Sequence, residues 1–315
     1  MRALSVNDNS LVFVERATPK PGPHDVVVSI RAAGINAADL LQRQGYYPAP
    51  PGWPEDIPGL EMAGVISAVG DEVHEPLLGR RVCAIVGGGA QSTHCVVPAE
   101  HLIFVPDHVS WAEAGGFAEA FCTAHDALLT QAHLDRAQRV LISGASGGVG
   151  VAAVQIARAT GAHVTAVTRT SEHHEDLRTL GADQTITIDQ VGDIDPVDVV
   201  LELVGAAHLT RAMDVLAPMA RVVIIGVGGG SRMEVDLRVI MRRRALLTGS
   251  TLRARSRAEK ATVIDRVIES LVPLWTTGEL RVPIARNFDF DDALEAYDFF
   301  ARSGKFGKVV MLIDQ

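Results

Sequence analysis

The sequence predicts an α/β protein in which a β-rich domain is interrupted by an inserted domain built on a doubly wound parallel sheet. Three observations predict it. Up to about residue 118, short β-branched runs are separated by Gly and Pro clusters; from about Glu119, strands and helices alternate; and the closing segment is too short to fold alone. A chain of 315 residues suits two domains better than one. The boundaries read as 1–118 with 258–315 for the split domain and 119–257 for the insert.

Each element has its own signal. VVVSIRAAGI, GVISAVG, RVCAIV and STHCVVP are the strands of the first stretch. Between them YYPAPPGWPEDIP, Tyr46 to Pro58, holds five prolines and is neither helix nor central strand. It is expected to be a stiff surface loop, a common place for substrate contacts. In the insert, RVLISGA, HVTAVT, VDVVLELVG, ARVVIIGVG and ALLTGSTL read as strands, with helices at GVGVAAVQIARATG and EDLRTLGAD. The tail is expected to open with one helix from Glu259 to about Thr277, on which Val263, Ile264, Val267, Ile268, Leu271 and Trp275 recur at helical spacing. DDALEAYDFFARSG then forms a helix and GKVVMLI a closing strand.

Composition excludes several function classes. Apolar residues make up 47% and charged residues 21%, the balance of a well-buried globular enzyme rather than a disordered chain. A net charge of −9 repels phosphate backbones, which argues against nucleic-acid binding. No apolar run approaches the roughly 18 residues of a membrane span. The opening MRALSVNDNSLVFVERA lacks the order of a secretory signal, and three scattered cysteines make no disulfide framework. A cytoplasmic location is expected.

Gly144, Gly147 and Gly150 stand directly after the strand RVLIS and before a helix, which turns a weak triplet into a dinucleotide fingerprint. Backbone N–H groups from Ser146, Gly147, Gly148, Val149 and Gly150 would meet a pyrophosphate at the helix N-terminus. About 20 residues on, an NAD enzyme carries an acid for the ribose hydroxyls. Here Arg169 follows the second strand. It suits a 2′-phosphate and predicts NADPH; the alternative is a solvated Arg at a strand end.

Two ways of activating an alcohol are excluded. The tyrosines are Tyr46, Tyr47 and Tyr297, and none has a lysine four residues on. Neither a CxxC nor a histidine cluster on the β-rich side offers zinc ligands, so no metal is expected. The substrate should therefore accept hydride readily, as quinones and α,β-unsaturated carbonyls do.

GINAADLLQRQGYY, PGLEMAGVISAVG, SGASGGVGVAAVQIA, LTGSTLRARSRAEKA and GKFGKVVMLI occur in this order. Together they resemble the medium-chain dehydrogenase/reductase superfamily, in particular its zinc-free quinone oxidoreductase branch with the zeta-crystallin-like proteins. The resemblance implies a GroES-like catalytic domain, a Rossmann NADPH-binding domain and a homodimer; the apolar last Rossmann strand, ALLTGSTL, is expected at the sheet edge, where pairing with its two-fold copy would join the two sheets. Zinc-dependent relatives carry Cys where this chain has Asn36, and Gly-His-Glu where it has Gly59, Leu60 and Glu61. In the zinc-free branch the residues matching Asn36 and Tyr47 line the nicotinamide side of the pocket and are the expected catalytic pair. The resemblance further assigns cofactor contacts to Thr123, Gly226, Val227, Ser250, Thr251, Leu252 and Lys308.

Plainer roles stand beside these. Asn36 also suits a helix cap, Tyr46 and Tyr47 suit loop packing, Glu61 a structural hydrogen bond, Cys122 burial, and Arg242 to Arg244 a solvated face. GGGAQSTHC replaces the relatives' GGxAEY, and DQVGDIDPVDV is a short link where a helical turn or more is common. The expected reaction is hydride transfer from NADPH to a quinone or enone. Its rivals are a biosynthetic enoyl or imine reductase and a non-catalytic NADPH-binding protein.

Overall fold

A computed structural model of the chain describes residues 1–314. They separate into two compact units, one formed by Met1–Cys122 with the segment from Leu252 onward, the other by Thr123–Thr251.

In the first unit, β1 (Arg2–Asn7) and β2 (Ser10–Glu15) form a hairpin. Its two-residue turn, Asp8-Asn9, is left-handed at both positions, with φ of 47° and 63°, which short polar side chains tolerate. β3 (Asp25–Ile35), β4 (Glu61–Val69), β5 (Arg81–Ile85), β6 (His94–Pro98) and β7 (Ile103–Phe104) join the tail strands Ile284–Asp289 and Lys308–Leu312 in one seven-stranded sheet. The nearly continuous burial of β3 fits its place as the hub, antiparallel to β4, to β6 and to Lys308–Leu312. Leu4, Ile30, Ile35, Met62, Ile66, Val309 and Met311 share its core. Tyr297 is buried in the same core and donates to Gln91 Oε1 at 2.7 Å, so its hydroxyl is structural.

The tail helix expected to run unbroken is two helices, Arg257–Ser270 and Val272–Thr277. Pro273 has no N–H to continue the ladder, so the chain starts a new helix around it. The apolar stripe crosses the break, with Leu271 and Trp275 both buried. The return to the first unit comes at Leu252, ahead of residue 258. The reason is Arg253, whose guanidinium binds the carbonyls of Gly87 and Tyr47.

In the second unit, β8 (Arg139–Ile142), β9 (His163–Thr168), β10 (Gln184–Thr187), β11 (Val197–Glu202), β12 (Leu216–Ile224) and β13 (Leu246–Gly249) are all parallel, in the order β10-β9-β8-β11-β12-β13. The order reverses between β8 and β11, the switch point at which ligands bind above such sheets. The link DQVGDIDPVDV, read as lacking a helical turn, holds a short 3-10 helix at Ile188–Asp193. β13 is an edge, with Leu246 57% exposed. No helix among the described residues is long and apolar enough to cross a membrane.

Candidate functional site

The first unit brings several buried charged side chains together at one place. Glu61 opens β4 fully buried, and its Oε1 lies 2.6 Å from Lys308 Nζ, itself 3% exposed. Asn36 joins the pair. Its Nδ2 donates to Glu61 Oε1 at 2.9 Å and its Oδ1 accepts from Lys308 Nζ at 2.6 Å. These two partners fix which way the amide points and leave one N–H of Nδ2 unspent. Glu61 Oε2 accepts the backbone N–H of Glu119 at 2.8 Å. Gly34 is required here, because a Cβ would sit 2.3 Å from Glu61 Oε1.

Asp39 ties the two sequence motifs together. Its carboxylate accepts the N–H of Asn36 at 2.8 Å and that of Gly59 at 3.0 Å. Burial nevertheless pushes its pKa up to about 7. Burial, reinforced by the charge of Glu61, pushes Glu119 up to about 8, so Glu119 holds a proton at neutral pH. Its Oε2 is buried without a partner. Neither Asp39 nor Glu119 stands out in the sequence; an acid in the first turn of the helix Ala37–Arg43 is the available signal for Asp39.

Tyr47 stands beside this cluster. Its carbonyl accepts from Arg253 Nη1 at 2.7 Å, and its ring centroid lies 4.9 Å from the guanidinium. Arg253 Nη2 also binds Gln42 Oε1 at 2.6 Å, so the proline-rich loop is held at its base. Burial, then the charge of Glu119, raise the Tyr47 pKa, and Arg253 opposes them. The half-buried phenol therefore stays protonated and can donate. Tyr46 is 77% exposed and has no such setting. Asn36 is the backbone N-cap of the helix Ala37–Arg43, but its side chain is turned to Glu61 and Lys308. Lys308, expected as a cofactor contact, donates to Glu61, Asn36 and the Ile35 carbonyl, which occupies all three N–H bonds.

In the second unit, Gly144 follows β8 with φ +58°, and Gly147 caps the helix Gly148–Thr160. A Cβ on Gly150 would sit 2.5 Å from the Gly144 carbonyl, so only glycine lets the helix begin this close to the loop. Ser146 and Val149 are partly exposed on this turn, leaving backbone donors for an anion. Arg169 is exposed just beyond β9. Gly226 and the half-exposed Val227 follow β12, and Ser250 Oγ donates to Asp126 Oδ2 at 3.2 Å. Thr123 is buried on the helix Ala118–His125, Thr251 is exposed, and Leu252 is buried in the first unit.

A buried network that sequence reasoning missed shapes the ends of β8 and β11. Glu202 Oε2 meets His208 Nδ1 at 2.6 Å, while Oε1 accepts from Ser143 Oγ and from the N–H groups of Val204 and Gly205. Burial alone would raise the Glu202 pKa, but the hydrogen bonds from His208, Gly205 and Ser143 hold it below the usual range. Ser143 Oγ in turn accepts from the Leu203 N–H at 2.7 Å. An acid closing the apolar strand VDVVLE is the signal. All three cysteines are buried, and burial pushes the Cys95 thiol up to about 12, which leaves no ready thiolate.

Comparison with known proteins agrees with these two units. The alcohol dehydrogenase GroES-like domain matches residues 22–132, and the zinc-binding dehydrogenase family matches residues 148–269. The chain is 30% identical to the quinone oxidoreductase of Lama guanicoe, over 94% of this chain and 91% of that one. It is also 31% identical, across 94% of this chain, to a segment covering 14% of a phenolphthiocerol/phthiocerol polyketide synthase of Mycobacterium tuberculosis. The quinone oxidoreductase from Thermus thermophilus, a structure described together with its NADPH complex, superposes with a TM-score of 0.85 at 29% identity, over 99% of this chain and 100% of that one. With a GroES-like domain and a Rossmann-like domain in one chain, the protein belongs to the medium-chain dehydrogenase/reductase superfamily and is an NAD(P)-dependent oxidoreductase.

Proposed function

We propose that the protein transfers hydride from NADPH to a quinone or an α,β-unsaturated carbonyl without using a metal. The observation that carries this reading is the Asn36–Glu61–Lys308 cluster. Its carboxylate already has a full counter-charge 2.6 Å away in the Lys308 ammonium, and a divalent ion drawn to Glu61 would meet that ammonium. Asn36 and Leu60 replace two ligands of the zinc-dependent relatives, and neither is a good zinc donor. Elemental analysis of the purified protein should find no stoichiometric zinc, and chelators should leave turnover intact. One zinc per chain would overturn the metal-free part of the reading.

The residues of the second unit fit a dinucleotide. The glycine turn would hold the pyrophosphate, and Arg169 a 2′-phosphate. Bound NADPH supplies the hydride; the chain orients the acceptor and supplies hydrogen bonds. Arg169→Ala should weaken NADPH binding by about 1.5–3 kcal/mol and leave NADH nearly unchanged, as titration calorimetry with both cofactors would show. Equal affinity of the parent protein for the two cofactors would remove this role.

Following NADPH oxidation against a panel of quinones and enones tests the activity. Turnover only with enoyl thioesters would favour a biosynthetic reductase, the reading that the polyketide synthase match supports. Tight NADPH binding with no turnover of any acceptor would mark a non-catalytic binding protein. The edge strand β13 would gain a second partner from a two-fold copy of the chain. Light scattering at micromolar concentration should accordingly give the mass of a dimer, and a monomer would count against that pairing.

A further inference from the structure

The first unit holds a cavity of about 560 Å³ beneath the proline-rich loop, inside the range of roughly 300–1,000 Å³ typical of small-molecule sites. Pro51, Trp53, Pro54 and Ile57 give it flat apolar walls, and the segment from Arg253 to Lys260 closes another side. Asn36, Tyr47, Glu61 and Lys308 do not line it; it adjoins the cluster described above only through Arg253, which holds the Tyr47 carbonyl.

Its charges do not balance. Asp25 is the one carboxylate among the lining residues, and Arg257 holds it at 2.9 Å while also pairing with Glu100. Arg253 spends its donors on neutral acceptors, the carbonyls of Gly87 and Tyr47 and the amide of Gln42. Arg255 and the Met1 ammonium, which donates to the Arg16 carbonyl, also line the cavity, and Lys260 is left over. It is only 4% exposed, yet its ammonium meets no carboxylate and no hydrogen-bond acceptor among the described residues. Its neighbour is the face of Trp53, with Nζ 5.8 Å from the ring centroid. Burial lowers the pKa of this ammonium; Glu119 opposes the shift and Arg253 adds to it. His101 supplies no counter-charge either, since an imidazole is neutral or cationic; its Nε2 donates to the Arg257 carbonyl, 2.9 Å away, and its Nδ1 is buried without a partner.

A buried ammonium facing an open volume is matched by a ligand anion. A single unpaired donor group matches a single negative charge. The apolar walls ask for a body that a free inorganic anion lacks. We propose that this cavity is a second binding site, for an organic carboxylate with a planar apolar body: the carboxylate accepts from Lys260 Nζ, and the body lies against Trp53 and the neighbouring prolines.

Titration calorimetry of the full chain without cofactor tests this independently of hydride transfer, using 2-naphthoate and its uncharged analogue 2-naphthamide. The parent should bind one 2-naphthoate per chain, and the amide about tenfold more weakly or worse. Lys260→Met should lower 2-naphthoate to the level of the amide and leave the amide unchanged; Lys260→Gln serves if the Met variant does not fold. Trp53→Ala should weaken both ligands. Equal binding of acid and amide by the parent, undiminished binding of the acid by the Lys260 variants, or no heat from the acid up to millimolar concentration would each overturn the proposal.

Discussion

Lys308→Met will destabilise the first unit by about 3–5 kcal/mol at neutral pH, the usual cost of breaking a buried ion pair from one side. Lys308 is 3% exposed and Glu61 is not exposed at all, so removing the ammonium strands a carboxylate where water cannot reach it. Its remaining donors, Asn36 Nδ2 and the Glu119 N–H, are neutral and cannot replace a full charge. Glu61→Gln combined with Lys308→Met should recover most of the loss, because the pair is then replaced rather than broken. Denaturant unfolding of the three proteins measures all of this. A loss below about 1 kcal/mol for the single variant would mean that the pair is solvated, contrary to its burial.

The fold is legible in the sequence where local signals agree. Glycines that a Cβ would push out of place mark the turn after β8, and β-branched runs separated by helices mark the parallel sheet. The closing strand is legible because KVVML is buried along nearly its whole length. The tail helix misleads because its apolar period continues across Pro273, so periodicity and backbone chemistry disagree and the backbone prevails. The hairpin β1–β2 is short, and its turn Asp8-Asn9 lacks the glycine that usually announces one. The charged cluster is the least legible part. Asn36, Glu61, Glu119 and Lys308 lie far apart in the chain, and each alone reads as an ordinary polar residue. Only the antiparallel pairing of β3 with β4 and with Lys308–Leu312 brings three of them together. Lys308 is the instructive case, since resemblance suggests a cofactor contact and gives no hint of its hydrogen bonds to Glu61, Asn36 and the Ile35 carbonyl.

Hydride transfer should fall about 10²–10³-fold in Tyr47→Phe or Asn36→Ala for an acceptor whose oxygen must be polarised, and by less for quinones, which need little activation. The acceptor oxygen gains negative charge as it is reduced. A donor already held in place stabilises that charge more than the neutral starting carbonyl. On the proposed reading Asn36 would be such a donor, because Glu61 and Lys308 fix its amide and leave one N–H over. Tyr47 would be another, because burial keeps its phenol protonated while Arg253 holds the backbone beneath it. On this reading Tyr47 would also pass its proton to the product. The two donors are distinguishable. Loss of Tyr47 should slow enones more than quinones and change the pH dependence of single-turnover transfer, whereas loss of Asn36 should lower the rate without changing that dependence. NADPH affinity, measured separately, should stay near the parent value in both. If both variants reduce every acceptor at the parent rate, the two side chains only shape the pocket and polarisation must come from elsewhere.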